Sequence, residues 1–171
     1  ILQYTARFRD RIFVLNVDSA VLASENFHNL LLDISVLRSL SIRIVLVHGC
    51  STQVRALSQE MNVPASDFDG MGITDPQTLQ LSILAANRLT HEILEGLSET
   101  DQRAVVTNAI VAHPAGILSG VDQQCTGQVE RVDIDFLRDL LDRGVIPVVP
   151  PLGFDGNGRT YRVNSDGVAL E

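Results

Sequence analysis

The sequence predicts an α/β fold: a mainly parallel sheet sandwiched by helices, in three layers. It is read as a single domain over residues 1–171, incomplete at the C-terminus. Three observations carry this expectation. Short runs of branched apolar residues alternate with stretches of helical periodicity. The runs are apolar throughout, as strands buried on both faces of a parallel sheet must be. Helix-capping residues stand where the periodic stretches begin.

The first run, RIFVLNV, predicts a buried strand over 11–17. Phe27, Leu30, Leu31, Ile34, Leu37 and Leu40 then recur at spacings of three and four, one face of a helix. IRIVLVHG predicts a second buried strand over 42–49. Ser51 or Thr52 is expected to cap a helix carrying Val54, Leu57 and Met61. Residues 64–72 read as loop. Asp75 and Pro76 form a sharp helix start, N-cap followed by proline at the first helical position. Its stripe is Leu79, Ile83, Ala86, Leu89 and Ile93, and Gly96 is expected to close it.

Residues 104–114 predict a strand with a break near Asn108, and 115–132 irregular or hairpin structure. Asp133 caps a short helix with Ile134, Leu137, Leu140 and Leu141, closed by Gly144. VIPVVP is a strand ending at two prolines. FDGNGRTYRV is a hairpin turning at Asn157-Gly158. NSDGVALE begins a helix. Ligands of such folds bind at the C-terminal ends of the parallel strands. Here those ends are 16–19, 48–51 and the turn before Asn164.

Composition narrows the function classes. Of 171 residues, 45% are hydrophobic and 20% charged, the balance of a globular protein with a core. The net charge of -8 argues against nucleic acid or an anionic membrane surface as partner. No run approaches the ~18 apolar residues of a membrane span, and no signal peptide is visible. Cys50 and Cys125 are isolated thiols, which points to a reduced, cytoplasmic setting and away from disulfides or zinc. All 13 basic residues are arginines. Chemistry that needs a lysine ammonium is therefore excluded for these residues.

The turns NVDS, HGCS, GMGIT and RVNSD, in this order, resemble the amino-acid kinase family. Its members phosphorylate carboxylates or similar groups with ATP. The acetylglutamate kinase pattern is K-x-G-G, H-G-G-G, G-x-R-V-T and N-x-N-A-D. Against it, Asn16 stands at the lysine, Asp18 and Ser19 at the two glycines, and Gly72 at the substrate-binding arginine. His48, Gly49, Asn164 and Asp166 are retained, Cys50 follows in the second turn, and Arg162 stands at the first asparagine. A closer resemblance is to the kinase-like domain of bacterial N-acetylglutamate synthases. It rests on ENFHNLLLDISVLRSLSIRIVLVHG, ITDPQTLQL, GVDQQCTGQVERVD and LLDRGVIPVVPPLGF, spanning nearly the whole chain. The segment after Leu97 is several residues shorter than that family's.

The resemblance implies a domain inactive as a kinase, which builds the oligomer and takes arginine as allosteric ligand. A separate acetyltransferase domain, not present in this chain, would use acetyl-coenzyme A. No cofactor, metal or catalytic residue is expected in these residues themselves. Two alternatives stand beside it: a divergent acetylglutamate kinase, and a stand-alone ligand-binding scaffold of the same fold.

Residue by residue, the turns read as the shell of a phosphate site with its electrostatics reversed. Asn16 carries no charge, Asp18 adds an anion, and Ser19 adds bulk where glycine lets backbone N–H groups approach phosphate. His48 is expected to cap its turn and Cys50 to be a buried structural thiol. Asn164 and Asp166 either hold a ligand or cap the last helix. Arg162 either pairs with a carboxylate ligand or, the favoured reading, lies solvated on the hairpin.

Overall fold

The computed structural model describes residues 8–171; residues 1–7 of the expected domain lie outside that range. The elements follow in chain order as β1 (Ile12–Val17), α1 (Ser19–Leu22), α2 (Asn26–Ser39), β2 (Arg43–His48), α3 (Ser51–Glu60), α4 (Pro76–Glu99), β3 (Ala104–Val106) and β4 (Ile110–Pro114). Then come β5 (Ile117–Leu118), β6 (Val121–Asp122), β7 (Gly127–Val132), α5 (Ile134–Asp142), β8 (Ile146–Val149), β9 (Leu152–Phe154), β10 (Thr160–Arg162) and α6 (Ser165–Leu170).

The main sheet has the order β1-β2-β8-β3, and every pairing in it is parallel. Alternation along β2 builds a core on each face. Ile44 and Leu46, with Ile146 and Val148 of β8, pack against Leu31 and Ile34 of α2 and against Leu89, Ile93 and Leu97 of α4. Val45, Val47 and Val149 face the other way, toward Leu137 and Leu141 of α5 and Val168 of α6. This is the expected parallel sheet between helical layers, but β1 is not the buried strand expected: it is the edge strand, and Ile12 and Val14 are exposed.

The chain also builds a second sheet, β10-β9-β4-β7, which the sequence did not reveal. Around Asn108 the expected 104–114 strand breaks, and the chain passes from one sheet into the other. Within 115–132 the hairpin β5–β6 forms, but β7 is a full strand, paired antiparallel with β4 through an irregularity at Val111/Ala112. The β9–β10 hairpin forms with Phe154 opposite Thr160. Its turn is closed by the Asp155 carboxylate, which accepts from the Asn157 and Arg159 amides at 2.8 Å each. Those amides hold the Asp155 pKa below its ordinary value.

The helix starts at Asp75 and Asp133 hold. Asp75 accepts from the Thr78 amide at 2.6 Å, and Asp133 from the Phe136 amide at 3.1 Å. Three boundary details differ from expectation. Gly96 does not end its helix; α4 runs on to Glu99, and Gly96 lies buried in it against the Leu31 side chain. Met61 and Leu40 are the C-caps of their helices and are exposed, outside the core stripes. Neither Ser51 nor Thr52 is the N-cap of α3. Cys50 occupies that position without a side-chain cap bond, and the missing acceptor comes from another element.

Candidate functional site

The C-terminal ends of β1, β2 and β8 open onto one cavity of about 290 Å³. Asn16, Asp18, Ser19, Gly49, Cys50, Arg162, Asn164 and Asp166 all line it, together with Ser51, Asp69, Met71, Pro151, Val163 and Ser165. Two of the sequence candidates do not. His48 is fully buried behind the strand end, and Gly72 sits off the cavity, its carbonyl accepting from the Thr126 hydroxyl at 2.8 Å. A Cβ on Gly72 would meet the Asp67 carboxylate at 3.1 Å.

Asn16 ends β1 and donates through Nδ2 to the Asp166 carboxylate at 2.5 Å. The first and fourth of the kinase-like turns are thus joined by an amide and an acid, with no cation between them. Asp18 caps α1, accepting from the Ala20 amide at 2.7 Å. Ser19 is buried, and its hydroxyl is the missing cap of α3. It accepts from the Thr52 amide at 3.1 Å and bonds the Ser51 and Thr52 hydroxyls at 2.8 and 3.0 Å. One donor of a helix N-terminus that favours anions is therefore already taken by a neutral oxygen of the chain itself.

His48 bridges β2 and α4. Nδ1 lies 3.0 Å from the Gly49 carbonyl and Nε2 3.1 Å from the Thr90 hydroxyl. A carbonyl only accepts, so Nδ1 carries the proton and Nε2 accepts from Thr90. Burial lowers the His48 pKa and keeps the ring neutral. Cys50 is 3% exposed. Desolvation pushes its thiol up to about 11, against a smaller lowering by the Arg162 charge. No thiolate nucleophile is available there.

Asn164 is the N-cap of α6, accepting from the amides of Asp166 and Gly167 at 3.0 and 3.1 Å. Arg162 corrects the favoured expectation: it is not solvated but 2% exposed. Its guanidinium donates to the Asp67 carbonyl at 2.9 Å, to the Asp67 carboxylate at 3.4 Å and to the Phe68 carbonyl. Acceptors in the 64–72 loop compensate its burial, which a hairpin position alone does not suggest. Asp69 and Met71, on that same loop, and Pro151 after β8 are cavity residues that sequence reasoning missed. A charged residue two positions before an N-cap asparagine was the only local signal that something must meet it.

The cavity lining carries the carboxylates of Asp18, Asp69 and Asp166 and a single cation, Arg162, already engaged with the loop. Such a lining does not fit the phosphates of a nucleotide or of coenzyme A, which need cations and free backbone donors. Among the described residues, no group of three or more His, Cys, Asp or Glu side chains is placed to hold a metal ion. No helix among them is long and apolar enough to cross a membrane.

Residues 11–171 match the amino acid kinase family. The chain belongs to that family. Within it, the chain is similar to an amino-acid acetyltransferase of Mannheimia succiniciproducens, 31% identical over 98% of this chain and 39% of the relative. The structure of N-acetylglutamate synthase from Neisseria gonorrhoeae complexed with coenzyme A and N-acetyl-glutamate superposes with a TM-score of 0.88 at 27% identity, over 98% of this chain and 40% of that one. The same synthase complexed with coenzyme A and L-arginine gives 0.88 at 26% identity, over 98% and 42%. This member of the amino acid kinase family therefore spans about two-fifths of the length of the relatives it matches.

Proposed function

We propose that this amino acid kinase domain belongs to an N-acetylglutamate synthase and does not transfer phosphate. Its role is to regulate and assemble an enzyme whose acetyltransferase domain uses acetyl-coenzyme A and glutamate in arginine biosynthesis. Arginine is the allosteric ligand in this reading, and the two free thiols suit a cytoplasmic setting.

One observation carries the proposal: Asn16 hydrogen-bonded to Asp166 where a phosphoryl-transfer site needs a cation. Phosphoryl transfer is mostly positioning and charge neutralisation. Removing one preorganised charge-stabilising donor costs roughly 10²–10³ in rate. Here the lysine is absent, Asp18 adds a negative charge, and Ser19 fills the α3 N-terminus. Self-association is supported by the edge of β1, which is unpaired among the described residues and where Val14 is 50% exposed, and by Leu32 and Val36 exposed on α2.

The test is ATP-dependent ADP release by the purified full-length protein with N-acetylglutamate. No release above background is expected. A turnover of about 1 s⁻¹, the low end of typical enzymes, would overturn the proposal.

A further inference from the structure

The segment between Ser66 and Gly72 is pinned by hydrogen bonds at both ends and joined to the rest of the molecule in between through few side chains. At one end, the Ser66 amide donates to the Thr78 hydroxyl at 2.8 Å and its hydroxyl donates to the Ile73 carbonyl at 2.7 Å. At the other, Thr126 donates to the Gly72 carbonyl at 2.8 Å. The residues between form the outer wall of the cleft through Asp69 and Met71. Gly70, at φ +73°, makes the turn that brings this backbone against Arg162; a Cβ there would lie 3.4 Å from Nε.

The polar links from the middle of the segment to the rest of the molecule come chiefly from one side chain. Arg162 donates to both the carbonyl and the carboxylate of Asp67 and to the Phe68 carbonyl. The remaining polar link is a long bond from Asn164 Nδ2 to the Asp69 carbonyl, 3.4 Å. Phe68 packs on the core cluster that contains Cys50, with the Arg55 guanidinium 4.2 Å over its ring.

We propose that Arg162 is a latch: it holds the 67–71 segment shut as a lid on the cleft, so that one buried guanidinium sets access to the cleft floor. A guanidinium suits this role because its planar fork can engage several oxygens at once, whereas an ammonium is a point charge. Arg162 is a positioning residue in this account and touches no reacting atom. Opening would rehydrate the guanidinium and its carbonyl partners together. The inference does not depend on the synthase reading, since it concerns only how the cleft is closed.

The experiment compares the full-length protein with Arg162→Met, Arg162→Lys and Asp67→Asn. Amide hydrogen exchange is read at Gly70, whose N–H donates to the Asp67 carboxylate at 2.6 Å, and at amides of β2 and α4 as reference. Alkylation of Cys50 and of Cys125 is read peptide by peptide by mass spectrometry. Arg162→Met is expected to speed Gly70 exchange and Cys50 alkylation about tenfold, with the reference amides and Cys125 unchanged. Arg162→Lys and Asp67→Asn should fall between it and the native protein.

Cys50 is an exacting reporter. The Arg162 charge lowers its pKa, so loss of that charge alone would slow alkylation. Faster labelling in Arg162→Met therefore reports opening around the thiol, which both exposes it and relieves the desolvation that raises its pKa. Should Arg162→Met fail to fold, Asp67→Asn carries the test through Cys50 alkylation, expected to be several-fold faster, because its Gly70 amide has lost a charged acceptor whether or not the segment opens. Unchanged Gly70 exchange in folded Arg162→Met, or unchanged Cys50 alkylation in Asp67→Asn, would overturn the latch. So would acceleration spread equally over β2 and α4, which would make Arg162 a general stabiliser.

Discussion

Restoring the three kinase-type residues, Asn16→Lys, Asp18→Gly and Ser19→Gly together, is expected to leave the full-length protein without kinase turnover. The new ammonium would meet the Asp166 carboxylate that now accepts from Asn16, so the fold should accommodate it. Ser19→Gly removes the oxygen that caps the Thr52 amide, and losing such a cap costs about 0.5–2 kcal/mol. A lower unfolding midpoint should therefore accompany the triple change. The substrate side stays unrepaired, with Gly72 where the family holds its carboxylate-binding arginine. Arg162 offers no substitute while it is committed to Asp67 and Phe68. A phosphate-release assay together with calorimetric titration of N-acetylglutamate reads both halves. Robust turnover from these three changes alone would mean that the machinery around them is intact.

Replacing Gly96 with valine is expected to cause the largest loss of stability among the glycine positions of the helices. Gly96 faces Leu31 of α2 so closely that any Cβ collides with the Leu31 methyl groups. Leu31 and Leu97 are themselves packed in the main core, so there is little space into which α2 or α4 can relax. Overpacking of this kind costs about 1–3 kcal/mol, and a branched side chain belongs at the upper end. For a domain of this size the midpoint should fall by about 5–10 °C. Gly167 provides the contrast. Nothing lies within 4 Å of a Cβ placed there, so Gly167→Ala should be neutral or raise stability by about 0.5–1 kcal/mol. Thermal unfolding of the two variants side by side checks the pair, and equal midpoints would refute the close-packing account of Gly96.

The parts of the fold that were legible in the sequence are those set by local signals. β1, β2 and β8 are runs of branched apolar residues, and Asp75-Pro76 and Asp133 are helix starts that work through their own neighbours. The second sheet was hidden because its strands exist through pairing. The hairpin arm at Phe154 was legible, but Leu152-Gly153 stands directly behind two prolines and half of Gly127–Val132 is polar, so neither looks like a strand until its neighbours lie beside it.

The same limit governs the site. Sequence order brought the strand-end turns together. It did not show that Ser19 caps a helix thirty-three residues on, or that Arg162 is buried by a loop ninety-five residues earlier. Gly96 read as a helix stop because glycine favours C-terminal caps; its role is instead set by Leu31, which no local pattern reveals. His48 and Gly72 belong to the kinase-like turns in sequence, yet each points its polar groups away from the cleft.

The division of labour between regulation and catalysis can be measured in one assay of the full-length protein: coenzyme A release from acetyl-coenzyme A with glutamate as acceptor, followed as L-arginine is titrated. Acetyl transfer should proceed without ATP and change progressively with arginine toward a saturating effect. Absence of acetyl transfer, or transfer at a rate indifferent to arginine, would contradict the assignment of this domain to a regulated synthase.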